Sequence, residues 1–255
     1  MLRNTLKNRL KAVEVVYGTM LQEMVNPTAA QIFKRAGFDF FMIDCEHGPY
    51  DQGTVREILR VGRLEEICPL VRIRNLDYSL AAGFLDAGAM GLMLPRVEKV
   101  SDTETLVSYM KYPPIGVRGL SSDAPHSDYR FGDLAEFIEV QNQDTLVIAQ
   151  IERKIAVENL EEILSVNGVD VALIGPEDLS LSYGMPGQTT HPDVVGAIQR
   201  VIDVCSSLGV APGIHMGNLD RLKEWREKGM RMIMYNSDLG FLFEGAESGV
   251  QTLKG

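Results

Sequence analysis

Leu146-Val147-Ile148-Ala149-Gln150-Ile151-Glu152 and Val169-Asp170-Val171-Ala172-Leu173-Ile174-Gly175-Pro176-Glu177-Asp178-Leu179-Ser180 are the stretches whose reading decides the fold. Each opens as an apolar, β-branched run of strand length and closes on polar residues. Between them, Ala156 to Leu164 carries a helical pattern of apolar residues. Strand, helix, strand is the parallel crossover unit. In it the second strand lies beside the first, and ligands gather at the carboxyl ends of the strands. Glu152 and Asp178, distant in sequence, then converge at one mouth. Two carboxylates so placed repel each other unless one is protonated or a cation bridges them. All-oxygen ligation suits a hard divalent ion such as Mg²⁺ or Mn²⁺. The competing reading pairs Glu152 with Arg153 or Lys154 and has Asp178 cap a helix.

Working outward, the same local pattern recurs. A helical segment ends, a glycine follows and an apolar run begins, at Gly37, Gly88, Gly168, Gly209 and Gly229. Glycine takes the left-handed conformation that closes a helix and turns the chain into the next strand, so repetition of the turn means repetition of the unit. Strands are expected over Glu14–Gly18, Phe38–Asp44, Pro69–Arg72, Gly91–Pro95, Thr145–Ile151, Val169–Ile174, Ala211–His215 and Arg231–Tyr235. Helix starts between them carry caps at Asn26-Pro27, Asp51, Asp77, Ser101-Asp102, His191-Pro192, Asn218 and Asp238. Near-continuous apolar strands alternating with amphipathic helices give an α/β fold, a single (β/α)₈ TIM barrel over residues 1–255. An open doubly wound sheet is the alternative, and the missing GxGxxG run after the first strand weakens a dinucleotide site there. Met1 to Lys11 reads as an extra N-terminal amphipathic helix, with Leu2, Leu6 and Leu10 on the face that packs on the barrel. Lys111 to Gly132, rich in Pro, Gly, Ser and Asp, is the longest irregular stretch and has the length of a lid or binding loop.

Composition bounds the function. Acidic residues outnumber basic ones by 35 to 25, which disfavours non-specific nucleic-acid or anionic-membrane binding. The 3 cysteines are odd in number and lack CxxC spacing, so neither a disulfide framework nor a zinc site is indicated. The basic, polar N-terminus lacks the apolar core of a signal peptide. No stretch reaches the ~20 apolar residues that span a bilayer. The expected compartment is the cytoplasm.

Polar residues at the carboxyl ends of barrel strands read as catalytic. Here they are Asp44, Glu46 and His47, then Arg72 and Arg74, then Gln150 and Glu152, then Asp178, with His215 and Asn236 on the last two strands. A histidine hydrogen-bonded by a carboxylate is a stronger base with a fixed tautomer; otherwise His47 caps the turn at Gly48-Pro49. Arg72 ends a buried strand and must face a carboxylate or an anionic ligand. Arg118, in Gly116-Val117-Arg118-Gly119, could bind an anion but reads better as solvated, and Cys45, without a base partner, reads as structural. Asp86 falls at the end of a helix. A divalent ion, an arginine and a base together suit withdrawal of a proton next to the carbonyl of a 2-oxo acid, and no strand end offers a lysine for Schiff-base chemistry.

With these residues in place, the chain resembles the HpcH/HpaI family of class II, metal-dependent pyruvate aldolases. The likeness runs from about Asn8 to Gly240. It is carried by Gly37-Phe38-Asp39-Phe40 leading to Ile43-Asp44-Cys45-Glu46-His47-Gly48-Pro49, by Val71-Arg72, Leu85-Asp86-Ala87-Gly88, Gly116-Val117-Arg118-Gly119, Gln150-Ile151-Glu152, Gly175-Pro176-Glu177-Asp178-Leu179-Ser180 and His191-Pro192. The resemblance implies cleavage of a 4-hydroxy-2-oxo acid to pyruvate and an aldehyde. It implies Glu152 and Asp178 as ligands of a divalent metal, Mg²⁺ or Mn²⁺, with Co²⁺ open. It implies Gln150 and the backbone at Glu177 as contacts to pyruvate, His47 as general base, Arg72 as stabiliser of the enolate, and Asp44 and Asp86 as acids supporting the histidine. A homo-hexamer that exchanges its last helix between subunits is also implied. Glu177, Arg153, His215 and Asn236 depart from the family pattern and bear on acceptor specificity. An acyl-CoA carbon–carbon lyase, needing a basic groove that the composition disfavours, and a non-catalytic keto-acid-binding barrel are the alternatives.

Overall fold

The computed structural model describes residues 3–129 and 132–255. A short helix, α1 (Thr5–Lys11), precedes eight parallel strands that close in sequence order into a barrel. The first half runs β1 (Val16–Leu21), α2 (Thr28–Ala36), β2 (Phe40–Asp44), α3 (Gln52–Leu64), β3 (Cys68–Arg72), α4 (Tyr78–Asp86), β4 (Gly91–Leu94) and α5 (Val100–Met110). A long connection with one 3₁₀ turn, Pro125–Ser127, leads to α6 (Leu134–Asp144), β5 (Leu146–Ile151), α7 (Lys154–Glu158) and α8 (Leu160–Leu164). The chain then continues through β6 (Val171–Ile174), α9 (Pro176–Ser182), α10 (Pro192–Leu208), β7 (Ala211–Met216), α11 (Leu219–Glu227), β8 (Met232–Ser237) and α12 (Asp238–Lys254).

Strand alternation separates two cores. Phe41, Ile43, Val71, Leu92, Val147, Ala149, Ala172 and Ile233 face outward against the helices. Phe40, Met42, Leu70, Met93, Ile148, Leu173 and Met234 fill the barrel, and Leu6 and Leu10 of α1 close its amino-terminal end against them. Polar contacts fasten the plug. Lys7 Nζ reaches Asp170 at 2.9 Å, and the Asn4 amide donates to the carbonyls of Met90 and Asp144 at 3.0 and 2.9 Å. Leu2, expected on the same face, lies outside the described residues.

The caps expected at Asp51, Asp77 and Asn218 accept hydrogen bonds from the backbone N–H groups of Thr54, Leu80 and Arg221, and His191 accepts from Asp193 ahead of a proline at the first helical position. Three starts differ. Asn26 accepts from the Thr28 N–H one residue upstream of the cap position. Asp102 reaches back to the N–H groups of Glu98 and Lys99. Asp238 follows the capping Ser237, and its carboxylate instead accepts from Gln22, Glu23 and Met24 at 2.8, 3.0 and 2.7 Å. It thereby ties the exit of β1 to the start of α12 and fastens the seam where the first and last strands meet.

Two expected boundaries are corrected. The segment Ala156 to Leu164 is two short helices, interrupted at Asn159, whose side chain donates to the Glu98 carbonyl at 2.9 Å. The first strand is displaced from Glu14–Gly18 to Val16–Leu21 because Gly18 lies within it rather than ending it. A Cβ on Gly18 would overlap the Phe40 ring, so the glycine is there for a close approach.

The described part of the Lys111–Gly132 connection packs along α3 and α4. Arg118 is buried there rather than solvated. Its guanidinium meets Asp86 at 2.6 Å and stacks 4.6 Å above the Tyr112 ring, because a cation drawn under a loop needs a carboxylate or a π face. Arg63 meets Asp128 at 2.7 Å, and the Gly119 N–H donates to the Tyr78 hydroxyl at 2.7 Å. Along α12, Leu242, Phe243, Val250 and Leu253 are exposed. No helix among the described residues is long and apolar enough to cross a membrane.

A strand glycine replaced by alanine ordinarily gains stability. Gly18→Ala is expected to lose about 1–3 kcal/mol through overpacking. Urea unfolding will show this as a lower midpoint at unchanged slope, and a rise in midpoint would refute the close-approach account.

Candidate active site

The alternation that fills the barrel with apolar residues continues to its carboxyl end, where polar residues take over. Phe40 and Met42 point inward, and Asp44, next but one, points the same way. The same spacing brings in Arg72 after Leu70, and Gln150 after Ile148. Asp44 and Arg72 are register partners on neighbouring strands. The guanidinium grips the carboxylate with both prongs, Nε to Oδ1 at 2.9 Å and Nη2 to Oδ2 at 2.5 Å. Its remaining nitrogen faces Glu46 at 3.4 Å and the Gln150 carbonyl oxygen at 3.5 Å. Burial pushes the Asp44 carboxyl up, but Arg72 and the N–H groups of His47 and Glu46 outweigh it and hold the group below its usual range. Arg74 fastens the turn after β2 by donating to the carbonyls of Cys45 and Tyr50 at 2.6 and 3.1 Å. Burial raises the Cys45 thiol to about 12, which suits a structural residue and not a nucleophile.

Glu152 stands just past the end of β5, buried. One carboxylate oxygen accepts from the backbone N–H of Arg96 at 2.8 Å and the other from the Gln150 amide at 2.5 Å. Arg153 turns away to Glu98 at 2.6 Å, and Lys154 faces Glu158 at 3.9 Å. Burial is the main force raising Glu152 to about 7; Asp178 and Glu46 add to it, against the Arg96 N–H and Arg72. Asp178 lies in the first turn of α9, where Gly175 is the cap residue, so it does not cap the helix. A Cβ on Gly175 would come within 3.1 Å of both the Gln150 amide and Glu152. A side chain there would make the tips of Gln150 and Glu152 give way by a few tenths of an ångström, so the glycine leaves both undisturbed where α9 starts.

A cleft of about 400 Å³ opens at this end, lined by Glu46, His47, Arg96, Glu152, Arg153 and Asp178. Among the described residues no group of three or more His, Cys, Asp or Glu side chains is gathered as a metal site. The donor chemistry nevertheless fits a hard divalent ion. Three carboxylates, Glu46, Glu152 and Asp178, line the cleft, and Glu152 is buried with a raised pKa that a cation would relieve.

Other expected partners are not assembled as anticipated within this chain. His47 is exposed, and its ring is 3.7 Å from Glu46; Asp44 holds the His47 backbone N–H at 3.3 Å, not the ring. Asp86 ends α4, and helices run back from the mouth, so it sits with Arg118 and presents its carbonyl to His126 Nδ1 at 3.2 Å. The side chain of Glu177 is exposed in the first turn of α9. His215 Nε2 faces the Asn236 carbonyl at 3.0 Å, and burial lowers its pKa. Arg96 was not singled out in the sequence. Its only signal there is its place just past Leu94-Pro95 at the end of the fourth strand, where it takes a positive φ of 52°.

A family model described as HpcH/HpaI aldolase/citrate lyase matches residues 20–244. The 4-hydroxy-2-oxo-heptane-1,7-dioate aldolase of Salmonella typhimurium is 34% identical over 247 residues, which cover 97% of this chain and 93% of that protein. The crystal structure of an HpcH/HpaI aldolase from Desulfitobacterium hafniense DCB-2 superposes with a TM-score of 0.94 at 34% identity, covering 98% of this chain and 96% of the other. A protein of the HpcH/Hpal aldolase/citrate lyase family from Burkholderia cenocepacia J2315 gives a TM-score of 0.92 at 32% identity, covering 99% and 100%.

Glu152 titrates higher in the folded chain than its ordinary 4.5, so the folded state holds this proton more tightly than the unfolded state. The resulting stability is present in full below pH 4.5 and is lost as pH rises through about 7. Metal-stripped protein should therefore weaken over that window, and Glu152→Gln should flatten the slope. Chemical unfolding across pH measures both, and an unchanged slope in the variant would assign the dependence elsewhere.

Proposed function

The chain belongs to the HpcH/HpaI aldolase/citrate lyase family and is a carbon–carbon lyase of the aldolase class, and from that premise we propose that it reversibly cleaves a 4-hydroxy-2-oxo acid to pyruvate and an aldehyde. The observation carrying this reading is the buried Asp44–Arg72 pair beside Glu152, whose raised carboxyl shares a cleft with Asp178. Glu152 and Asp178 would hold a divalent ion, Mg²⁺ or Mn²⁺, which would supply Lewis-acid polarisation of the 2-oxo acid and so acidify its methyl group. Gln150 and the free N–H groups of the first turn of α9, at Glu177 and Asp178, receive the pyruvate carboxylate. In the condensation direction, His47 removes a proton from the methyl group. Arg72, its fork already aligned by Asp44, holds the charge that develops on the enolate oxygen. The enolate carbon then attacks the aldehyde carbonyl, and the new alkoxide takes a proton to become the 4-hydroxyl. In the cleavage direction the 4-hydroxyl gives up its proton, the bond between C3 and C4 breaks to release the aldehyde, and protonated His47 returns a proton to the methylene carbon of the pyruvate enolate.

Within its own chain Asp86 meets Arg118 and His126 rather than His47, and we assign its supporting role to the His47 of a neighbouring copy. Phe241 of α12 lines an apolar groove with Met24, Ile32, Phe33 and Phe38, and Leu242, Phe243, Val250 and Leu253 farther along the helix are exposed; this unpartnered apolar surface supports a homo-oligomer. We take it to be a hexamer that exchanges its last helix, each subunit a single barrel domain working in the cytoplasm.

Exhaustive chelation should abolish aldol activity, and Mg²⁺ or Mn²⁺ should restore it; full activity after EDTA would sink the metal-dependent reading. Borohydride with pyruvate should trap no lysine. His47→Ala should slow exchange of the pyruvate methyl protons with solvent by roughly 10²–10⁴-fold, the range for a general base. The acid limb of the pH–rate profile should persist in Arg72→Lys and disappear from the residual rate of His47→Ala. Exchange at the wild-type rate in His47→Ala would place the base elsewhere. Light scattering that finds an active monomer at micromolar concentration would refute the assembly.

A further inference from the structure

The amino-terminal end of the barrel, opposite the cleft, holds a second cavity that the aldol chemistry does not use. It encloses about 320 Å³ between the α1 plug and the segments that enter β5, β6 and β7. Three lysines and one carboxylate line it: Lys7, Lys11, Lys111 and Asp170. Lys7 and Lys111 are buried, while Lys11 and Asn167 are exposed at the rim. Lys111, just past the end of α5, donates to the carbonyls of Asn142 and Thr145, both at 2.7 Å. Lys7 donates to the same Thr145 oxygen at 3.0 Å and to Asp170 at 2.9 Å. Two buried ammonium groups thus share one carbonyl oxygen. The Asp170 oxygen that meets Lys7 also accepts the Val147 N–H at 2.9 Å. Among the described residues, Lys7 is the one cavity lysine that forms an ion pair.

Three cations and one carboxylate leave the cavity with two positive charges to compensate. Burying a cation without a counter-charge is costly. Burial is the main force that lowers Lys111 to about 7; Lys7 and Lys11 add to it and Asp170 opposes it. These are the charged groups that face Lys111, two from α1 and one from the turn before β6; α6 presents the carbonyl of Asn142. An ammonium carries three N–H donors and no acceptor. Lys7 and Lys111 each use two on the chain and keep one for a ligand. We propose that the cavity binds a small doubly charged oxyanion, a phosphate either free or at the end of a small ester, held by Lys7 and Lys111 at its floor and by Lys11 at its rim. Leu10, Val169 and Ala211 supply an apolar wall for the carbon part of an ester. Such a ligand clamps the α1 plug to the turns before β5 and β6, and its binding does not depend on the reaction at the other end of the barrel.

Calorimetric titration of the whole protein with inorganic phosphate, glycerol 3-phosphate and sulfate, at matched ionic strength, tests the site. Each dianion should bind saturably at millimolar concentration or below, and chloride should not. Tighter binding of glycerol 3-phosphate than of phosphate assigns an ester, and the reverse order assigns the free ion; either supports the site. Lys111→Met keeps the length of the side chain and removes its charge. It should weaken binding by about 10-fold or more, as expected for losing a charged hydrogen bond in a buried setting. Lys11→Gln, at the exposed rim, should weaken it by only about 2–5-fold. Sulfate keeps both charges near neutral pH, so its affinity reports the lysines alone. A bound anion favours the ammonium form of Lys111, so sulfate affinity should be full in mild acid and fall as pH rises through about 7. That pH dependence should be absent from Lys111→Met. The site is overturned by a lack of saturable binding in wild type, by a sulfate affinity that stays flat across this pH window, or by wild-type affinity in Lys111→Met. Should Lys111→Met fail to fold, wild-type affinity in Lys11→Gln overturns it instead.

Discussion

The ion pair between Asp44 and Arg72 sits where the apolar filling of the barrel stops. Burying two charges is expensive, and removing either partner of such a pair typically destabilises a protein by about 3–5 kcal/mol. Here the expense is offset by geometry. The pair is bidentate and joins register neighbours on β2 and β3, and Oδ1 of Asp44, besides holding Arg72 Nε, accepts the N–H groups that shape the turn carrying Glu46 and His47. One contact therefore orients a guanidinium, a turn and a histidine together. Glu46 and Gln150 then line up on the nitrogen of Arg72 that Asp44 leaves free. The layer is rigid before any ligand arrives, which is what stabilising a developing charge requires.

Next to this neutralised pair stands a group that is not neutralised. Glu152 is as buried as Arg72, yet its hydrogen bonds come from a backbone amide and a side-chain amide rather than from a cation. Arg153 and Lys154, its immediate neighbours in sequence, are drawn off by Glu98 and Glu158. The floor of the cleft thus sets a fixed positive fork against a carboxylate held in readiness for a cation. A 2-oxo acid carries its own negative carboxylate and a polarisable carbonyl, and it complements both.

Much of the fold was legible because it is periodic. Glycine turns recurring after helices and β-branched runs recurring before polar residues specify a barrel without any long-range information. The misplaced elements are those in which a residue has a tertiary reason. Gly18 reads as a stop until the Phe40 ring is seen above it, and Asn159 breaks a helix that its neighbours would continue. The site divides along the same line. Asp44, Arg72, Gln150 and Glu152 were readable because the two-residue period and the strand ends place them. Arg118 was not, since its burial depends on Asp86 and Tyr112 arriving from other segments. Arg96 was hidden for a related reason, because nothing in Leu-Pro-Arg-Val announces a left-handed turn.

The clasp made by Asp238 has a bearing on how the chain reaches its native state. Its three N–H donors lie 214 to 216 residues away along the chain, close to the largest loop this polypeptide can close. Contacts of such separation are formed against the full entropy of the intervening segment and slow the search for the native topology. Adjacent βα units can dock in succession as a growing, open sheet, but β1 and β8 cannot pair until both ends of the chain are present. The seam is therefore the natural final event of folding. A chain interrupted before residue 238 would hold the strands of a barrel without the latch that turns them into a closed one.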